Sequence, residues 1–218
     1  MNEAKMKVFA PDSNNMSNTI LVPNNKINYM DARERKRNIA LIESALRRGA
    51  ENYFRYNGFV NVLPPHIVPI TGACENVDTL FDVDYFGQNA YLTQTGQTAL
   101  EMFVAQLGRV CCEIKSYRKE PNADTRHLTE FPLLELEFAY KEHEDGFEEL
   151  LKHIEGTIKS MMHHALATAH TALETIGANI GEHRRIIDTP FARIEYDAAI
   201  NLLRKNWGDD LNHEDEQL

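Results

Sequence analysis

The stretch Tyr117–Tyr140, YRKEPNADTRHLTEFPLLELEFAY, constrains this chain more than any other. Val110–Tyr117 and Leu133–Tyr140 read as strands, and the polar residues between them read as the turn of a hairpin. Side chains alternate faces along a strand, so Arg118 and Glu120 share a face where the first strand ends. Glu135 and Glu137 share a face on the return, while Leu134, Leu136, Phe138 and Tyr140 form an apolar face opposite. Two acids in an otherwise apolar strand are costly unless that face meets solvent, a cation or a ligand. Arg118 offers a bidentate grip for a phosphate. Arg126 and His127 add donors at the turn, and Phe131 offers a ring on which a base stacks. Glu135 and Glu137 are candidates to hold Mg²⁺ beside such phosphates. A surface hairpin with a salt-bridged polar face fits the same residues.

The rest of the chain supplies helices to pack on such a sheet. Asp31 reads as an N-cap, Ile39, Ile42, Leu46, Ala50, Tyr53 and Phe54 recur at helical spacing, and Gly58 closes the run. Phe59–Leu63 alternates like a strand and stops at Pro64-Pro65. Thr71–Val77 is a polar loop. Thr79–Phe86 and Ala90–Thr93 read as short strands around a Gly87 turn. Leu100, Phe103, Val104 and Leu107 mark a helix ending at Gly108. A long helix is expected from Gly146 to Ile176, closed by Gly177, with the acids Glu142–Glu149 favoured at its N-terminus by the dipole. A last strand at Phe191–Tyr196 and a helix at Ala198–Lys205 follow. Residues 1–28 form a polar leader with a suggested edge strand at Thr19–Val22. The class is α+β, in one domain over 29–218.

Composition narrows the setting. With 218 residues, 43% of them hydrophobic, one sizeable core is expected. No apolar run approaches a membrane span, and the N-terminus carries no secretory h-region. Cys74, Cys111 and Cys112 are an odd number without a CxxC, and adjacent Cys111 and Cys112 point to opposite strand faces. A reduced, cytoplasmic protein fits these thiols. The net charge of −10 argues against a broad electrostatic footprint for nucleic acid and leaves room for a local basic patch. His163 and His170 fall on one helical face without a further ligand at metal spacing.

RxE, a short loop, RHLxEF and an acidic strand together resemble motif 2 of class II aminoacyl-tRNA synthetases, in the aspartyl/asparaginyl branch. Three other stretches resemble that branch in order and spacing. The helix running into GFVNVLPP resembles motif 1, with Gly58 and Pro65 at the dimer interface. TGACENV resembles the loop that closes over the amino acid. YLTQTGQTALEMF resembles the segment before motif 2, nearer the asparaginyl form. The resemblance spans about residues 30–218 and implies an antiparallel sheet flanked by helices.

It also implies roles. Arg118 corresponds to the residue bridging the ATP α-phosphate and the amino-acid carboxylate. Glu120 reads the adenine amino group, His127 contacts the distal phosphates, and Phe131 stacks on adenine. Arg126 is a phosphate or substrate contact or an ion-pair partner. Glu75, Gln97 and Glu130 lie near the amino acid. The substrates implied are ATP with Mg²⁺ and Asn or Asp, activated to an aminoacyl-adenylate by a homodimer. The sequence departs from the family twice. Too few residues precede the first helix for an anticodon-binding barrel, so tRNA as acceptor stays open. No Gly-rich motif 3 follows Gly181, as though the catalytic domain were incomplete at its C-terminal side. A synthetase core, an asparagine synthetase-like enzyme amidating aspartyl-adenylate with ammonia, and a non-catalytic dimeric binding module all remain open.

Overall fold

The computed structural model describes residues 31–72, 76–120, 127–141 and 145–207. The leader with its Thr19–Val22 strand, Cys74 and Glu75, Arg126, and Glu142 lie outside the described residues.

Helix α1 (Ala32–Tyr56) starts where Asp31 accepts the Arg33 amide on its carboxylate (3.3 Å). It ends at Asn57, followed by Gly58 at φ +76°, a left-handed C′ position. The chain then enters β1 (Val60–Asn61), β2 (Ile67–Val68), β3 (Phe81–Tyr85), β4 (Gln88–Leu92), α2 (Gln97–Leu107), β5 (Arg109–Tyr117) and β6 (Glu130–Phe138). Helices α3 (Gly146–Thr168), α4 (His170–Thr175), α5 (Ile180–Asp188) and α6 (Tyr196–Trp207) complete it.

Two three-stranded sheets form, β1-β5-β6 and β2-β4-β3. β1 lies parallel to β5, and every other pairing is antiparallel. The first sheet is a middle layer. On one side Cys111, Leu136 and Phe138 pack with Ala50 and Phe54 of α1 and Met161 of α3. On the other, Val110, Cys112, Ile114 and Leu133 pack on Leu100 and Val104 of α2. The adjacent cysteines therefore face opposite ways, as strand alternation requires. Burial pushes their thiols up to about 11 for Cys111 and about 12 for Cys112, so neither is an activated thiolate. Where α1 crosses α3, a Cβ on Gly49 would sit 2.6 Å from the Met161 Cα, and Ser160 donates to the Gly49 carbonyl (2.7 Å). Only glycine allows that approach.

Several boundaries differ from the expectations. The strand expected at Phe59–Leu63 shortens to Val60–Asn61, with one further bond from the Val62 amide to the Cys111 carbonyl (2.9 Å). Pro64 and Pro65 have no N–H to extend the ladder. Val77–Thr79 is a 3₁₀ turn, because the Asn76 side chain caps the Asp78 amide (2.9 Å). The β3–β4 turn, Phe86-Gly87, has both residues at positive φ, the two-residue geometry that follows strand twist. The long helix breaks at Ala169 (φ −121°), and the offset lets Ala172 and Leu173 of α4 pack with Ala45 of α1.

Phe191–Tyr196 is not a strand. The Phe191 amide donates to the Glu155 carboxylate (3.2 Å) and Lys159 lies 5.4 Å from its ring, so side chains of α3, not a sheet edge, hold it. Helix α5 was unforeseen, although Asn179 capping the Glu182 amide (3.1 Å) is a sequence-readable N-x-x-E start. Tyr140 lies past the end of β6 and is exposed. Among the described residues no helix is long and apolar enough to cross a membrane.

Candidate functional site

The antiparallel register of β5 and β6 decides which side chains meet. Ser116 lies opposite Phe131, Ile114 opposite Leu133, Cys112 opposite Glu135 and Val110 opposite Glu137. All of these share the α2 face. The ladder continues one bond past β5, from the Arg118 amide to the Thr129 carbonyl (2.9 Å). The Arg118 guanidinium then lies 5.8 Å from the centre of the Phe131 ring. This cation–ring pair stands at the root of the hairpin turn. Ser116 beneath it is fully buried, and its hydroxyl has no partner among the described residues. Glu120 follows, half-buried, and His127 is exposed on the far side of the turn.

The Thr93–Gln97 segment forms the other wall. The Tyr117 amide donates to the Thr93 carbonyl (3.1 Å), which ties that wall to β5. The Gln94 amide group donates to the Thr79 hydroxyl (2.9 Å), and the Lys119 amide donates to the Thr79 carbonyl (2.8 Å). Gln94 is 1% exposed, and its carbonyl oxygen has no partner among the described residues. Thr79 is thus a joint between the start of β3, the end of β4 and the first residues after β5.

Glu135 anchors the start of α2. The Thr95 hydroxyl donates to Oε1 (2.5 Å) and the Gly96 amide donates to Oε2 (2.5 Å). A Cβ on Gly96 would lie 2.7 Å from Glu135 Oε2 and from Cys112 Sγ, so this turn needs glycine. The Gln97 amide donates to the Thr95 hydroxyl (3.1 Å), and its side chain donates to Glu101 (2.8 Å). Glu137 lies beyond, at the open edge of β6. Burial first, then the neighbouring Glu101 and Glu135, push its carboxyl up to about 7.

Arg118, Phe131, Gln97 and Glu135 come to one face of the sheet. Glu130 does not. It lies opposite Tyr117 on the other face, exposed, and pairs with Lys115 (3.2 Å). The reading of Glu135 and Glu137 as a joint Mg²⁺ site also needs correction. Glu135 already accepts two short hydrogen bonds, and Glu137 is six residues along β6 from Phe131, about 20 Å at strand rise. Among the described residues no group of three or more His, Cys, Asp or Glu is placed to hold a metal. These acids do not fit the ion. Sequence reasoning missed Glu135 as an anchor and Thr79 and Gln94 as a joint. Their partners are distant in the chain, and the only local signal was a Thr-Gln-Thr-Gly run ahead of a helix.

A mixed sheet between helices, with an Arg–Phe pair at the root of its central hairpin, defines a class II synthetase-type catalytic fold. The profile of the family described as tRNA synthetases class II (D, K and N) matches residues 23–218, and the chain belongs to that family. Among characterised relatives, the asparagine–tRNA ligase of Koribacter versatilis is 36% identical over 194 residues, covering 84% of this chain and 42% of the relative. That of Lactococcus lactis subsp. lactis is 36% identical over 177 residues, covering 80% and 38%. Asparaginyl-tRNA synthetase from Pyrococcus horikoshii, solved with asparaginyl-adenylate, superposes with a TM-score of 0.71 at 31% identity, covering 83% of this chain and 41% of that one. The Entamoeba histolytica enzyme with the same adenylate gives 0.64 at 28%, covering 79% and 36%. The chain spans about four-tenths of the length of the relatives it matches.

Proposed function

We propose that residues 29–218 form part of a catalytic domain that binds ATP and an Asx amino acid and joins them as an aminoacyl-adenylate. The observation that carries this reading is the Arg118–Phe131 pair at the root of the hairpin, in a chain of this family. A purine ring entering over Phe131 brings its α-phosphate toward the guanidinium. Arg118 then stabilises charge on the phosphoryl group as the amino-acid carboxylate attacks in line and pyrophosphate leaves. Glu120, Arg126 and His127 serve the nucleotide side. Glu75 and Gln97 serve the amino-acid side, and Glu135 holds Thr95–Gln97 in place. Asparagine is the preferred substrate, because the relatives and the solved complexes are asparagine enzymes.

The same reading gives a homodimer through the motif 1 helix, α1, and the strand segment that runs from Gly58 to Pro65. Leu63 is 93% exposed and Ile70 62%, with Ile67 and Pro65 also exposed, which leaves an apolar strip to cover. Sedimentation equilibrium tests this, and a monomer at micromolar concentration counts against it.

Calorimetric titration with a non-hydrolysable asparaginyl-adenylate analogue, beside ATP–pyrophosphate exchange with Asn and with Asp, tests the main proposal. Binding by the native chain, with a loss of about a hundredfold or more in Arg118→Gln, is expected. No binding and no exchange with either amino acid refutes it.

A further inference from the structure

The two arms of the proposed adenylate site stand on separate pieces of chain. Arg118 and Glu120 follow the end of β5, and Gln97 opens α2 behind Thr95 and Gly96. Adenylate formation needs both arms at one spacing, because the carboxylate must meet the α-phosphorus in line. Whatever sets that spacing is part of the chemistry.

The β5–β6 ladder does not set it alone. Its last bond runs from the Arg118 amide to the Thr129 carbonyl (2.9 Å). The next amide, that of Lys119, leaves β6 and donates to the Thr79 carbonyl (2.8 Å). The hydroxyl of the same Thr79 accepts from the side chain of Gln94 (2.9 Å), the residue before Thr95. Thr79 therefore holds one arm by its backbone and the other by its side chain. A backbone bond from the Tyr117 amide to the Thr93 carbonyl (3.1 Å) joins the same segments at their base. The Gln94–Thr79–Lys119 link is the one that depends on side-chain identity.

This link is buried and set in advance. Gln94 is 1% exposed and Thr79 5%. Thr79 ends the 3₁₀ turn Val77–Thr79, which Asn76 caps. Its hydroxyl donates to the Asn76 carbonyl (3.0 Å), which turns its lone pairs to Gln94. The Gln94 amide group also reaches the Asn76 carbonyl (3.4 Å). Two acceptors on that side fix which way the amide is turned. The Gln94 carbonyl oxygen has no partner among the described residues. An amide buried with its acceptor unmet is a poor way to fill space, since leucine fills a similar volume with no polar group to desolvate. A local cost of this kind, without a matching return in stability, marks a residue that serves the site. The other contact of Lys119, from Nζ to Asp82 (3.4 Å), is an exposed ion pair and fixes little.

We infer that Gln94 and Thr79 are positioning residues for adenylate formation. They hold residues 118–120 at a fixed spacing from Thr95–Gln97 and touch neither substrate. The inference rests on the adenylate reading above and adds the element that couples its two arms.

The test separates spacing from binding. A ligand that spans both arms gains from their being held at a matched spacing, whereas a ligand that fills one arm does not. The native chain, Gln94→Leu, Thr79→Val and Thr79→Ser are titrated calorimetrically with the asparaginyl-adenylate analogue, with ATP and with asparagine. Gln94→Leu and Thr79→Val are expected to lose about tenfold or more in affinity for the analogue, and less than about threefold for ATP or asparagine alone. Thr79→Ser keeps the hydroxyl and is expected to recover most of that loss. Asp82→Asn removes only the exposed ion pair and is expected to leave all three affinities as they are. Hydrogen exchange at the Lys119 amide is expected to quicken in Gln94→Leu and Thr79→Val. Circular-dichroism melting checks the fold, and if Gln94→Leu does not fold, Thr79→Val decides alone. Equal losses for all three ligands mean a general loss of structure and overturn the inference. Unchanged analogue affinity overturns it, as does native protection of the Lys119 amide in both variants. A loss in Gln94→Leu for asparagine alone as large as that for the analogue makes Gln94 a substrate contact and overturns it too. A native chain that binds none of the ligands refutes the adenylate reading and this inference together. Native binding with unaltered variants refutes this inference alone.

Discussion

Glu137 makes folding and ionisation oppose each other, and Glu137→Gln exposes the conflict. Its carboxyl has an ordinary value of 4.5 and is pushed up to about 7 in the fold by burial, Glu101 and Glu135. Below pH 4.5 the folded and unfolded chains both hold the proton, and the group contributes nothing to pH dependence. Between 4.5 and 7 the unfolded chain releases the proton and the folded chain keeps it. The folded state then binds more protons, so stability falls as pH rises. Above 7 the deficit is complete. Glu137 lies at the open edge of β6, where water screens part of the repulsion, so the deficit is about 1 kcal/mol. For a domain of this size that corresponds to about 2–4 °C in Tm.

Glutamine has the same shape and no charge. Glu137→Gln should therefore melt about 2–4 °C above the native chain at pH 8 and at the same temperature at pH 4. Thermal melts followed by circular dichroism across pH 4–8 read this directly. Adding Glu101→Gln to the native chain should recover part of the same gain, because it removes one of the repelling charges. A variant melting at or below the native temperature at pH 8, or a gap that widens toward low pH, would refute the argument.

Two further outcomes follow from the packing. Gly49→Ala should destabilise by about 1–3 kcal/mol in urea unfolding, because the new methyl meets the backbone of α3 at Ser160 and Met161; no change would mean that the α1–α3 crossing has slack. Glu135→Leu should cost about 1–3 kcal/mol for each donor left without an acceptor, the Gly96 amide and the Thr95 hydroxyl, and Glu135→Gln should cost less because it keeps one acceptor oxygen. Faster exchange of the Gly96 amide should accompany the leucine variant, and native-like protection there would remove Glu135 from its anchoring role.

Much of the framework was legible in the chain itself. Asp31 and Gly58 bracket α1 because capping and left-handed closure are local properties of single residues. Alternation along 110–117 and 133–138 separates Cys111 from Cys112, and Leu134 and Leu136 from Glu135 and Glu137, before any contact is known. The local pattern also misled. The periodicity of Gly146–Ile176 continues across Ala169, but the chain bends there because α4 packs on Ala45, a residue over a hundred positions earlier. Phe191–Tyr196 has strand-like residues and no sheet edge to join, so side chains of α3 fix it instead.

For the site, the sequence determined the inventory: an Arg, a Phe, a polar turn and acids on one strand face, in an order that places the chain in its family. Residue type and strand period are carried by neighbours in the chain, so they can be read from it. Tertiary structure decided how those groups are used. It turned Glu135 from a metal candidate into the anchor of Thr95 and Gly96. It sent Glu130 to the opposite face beside Lys115, and it made Thr79 and Gln94 a joint between three segments. Each of these depends on register and on which helix covers which face, set by packing between residues far apart in the chain.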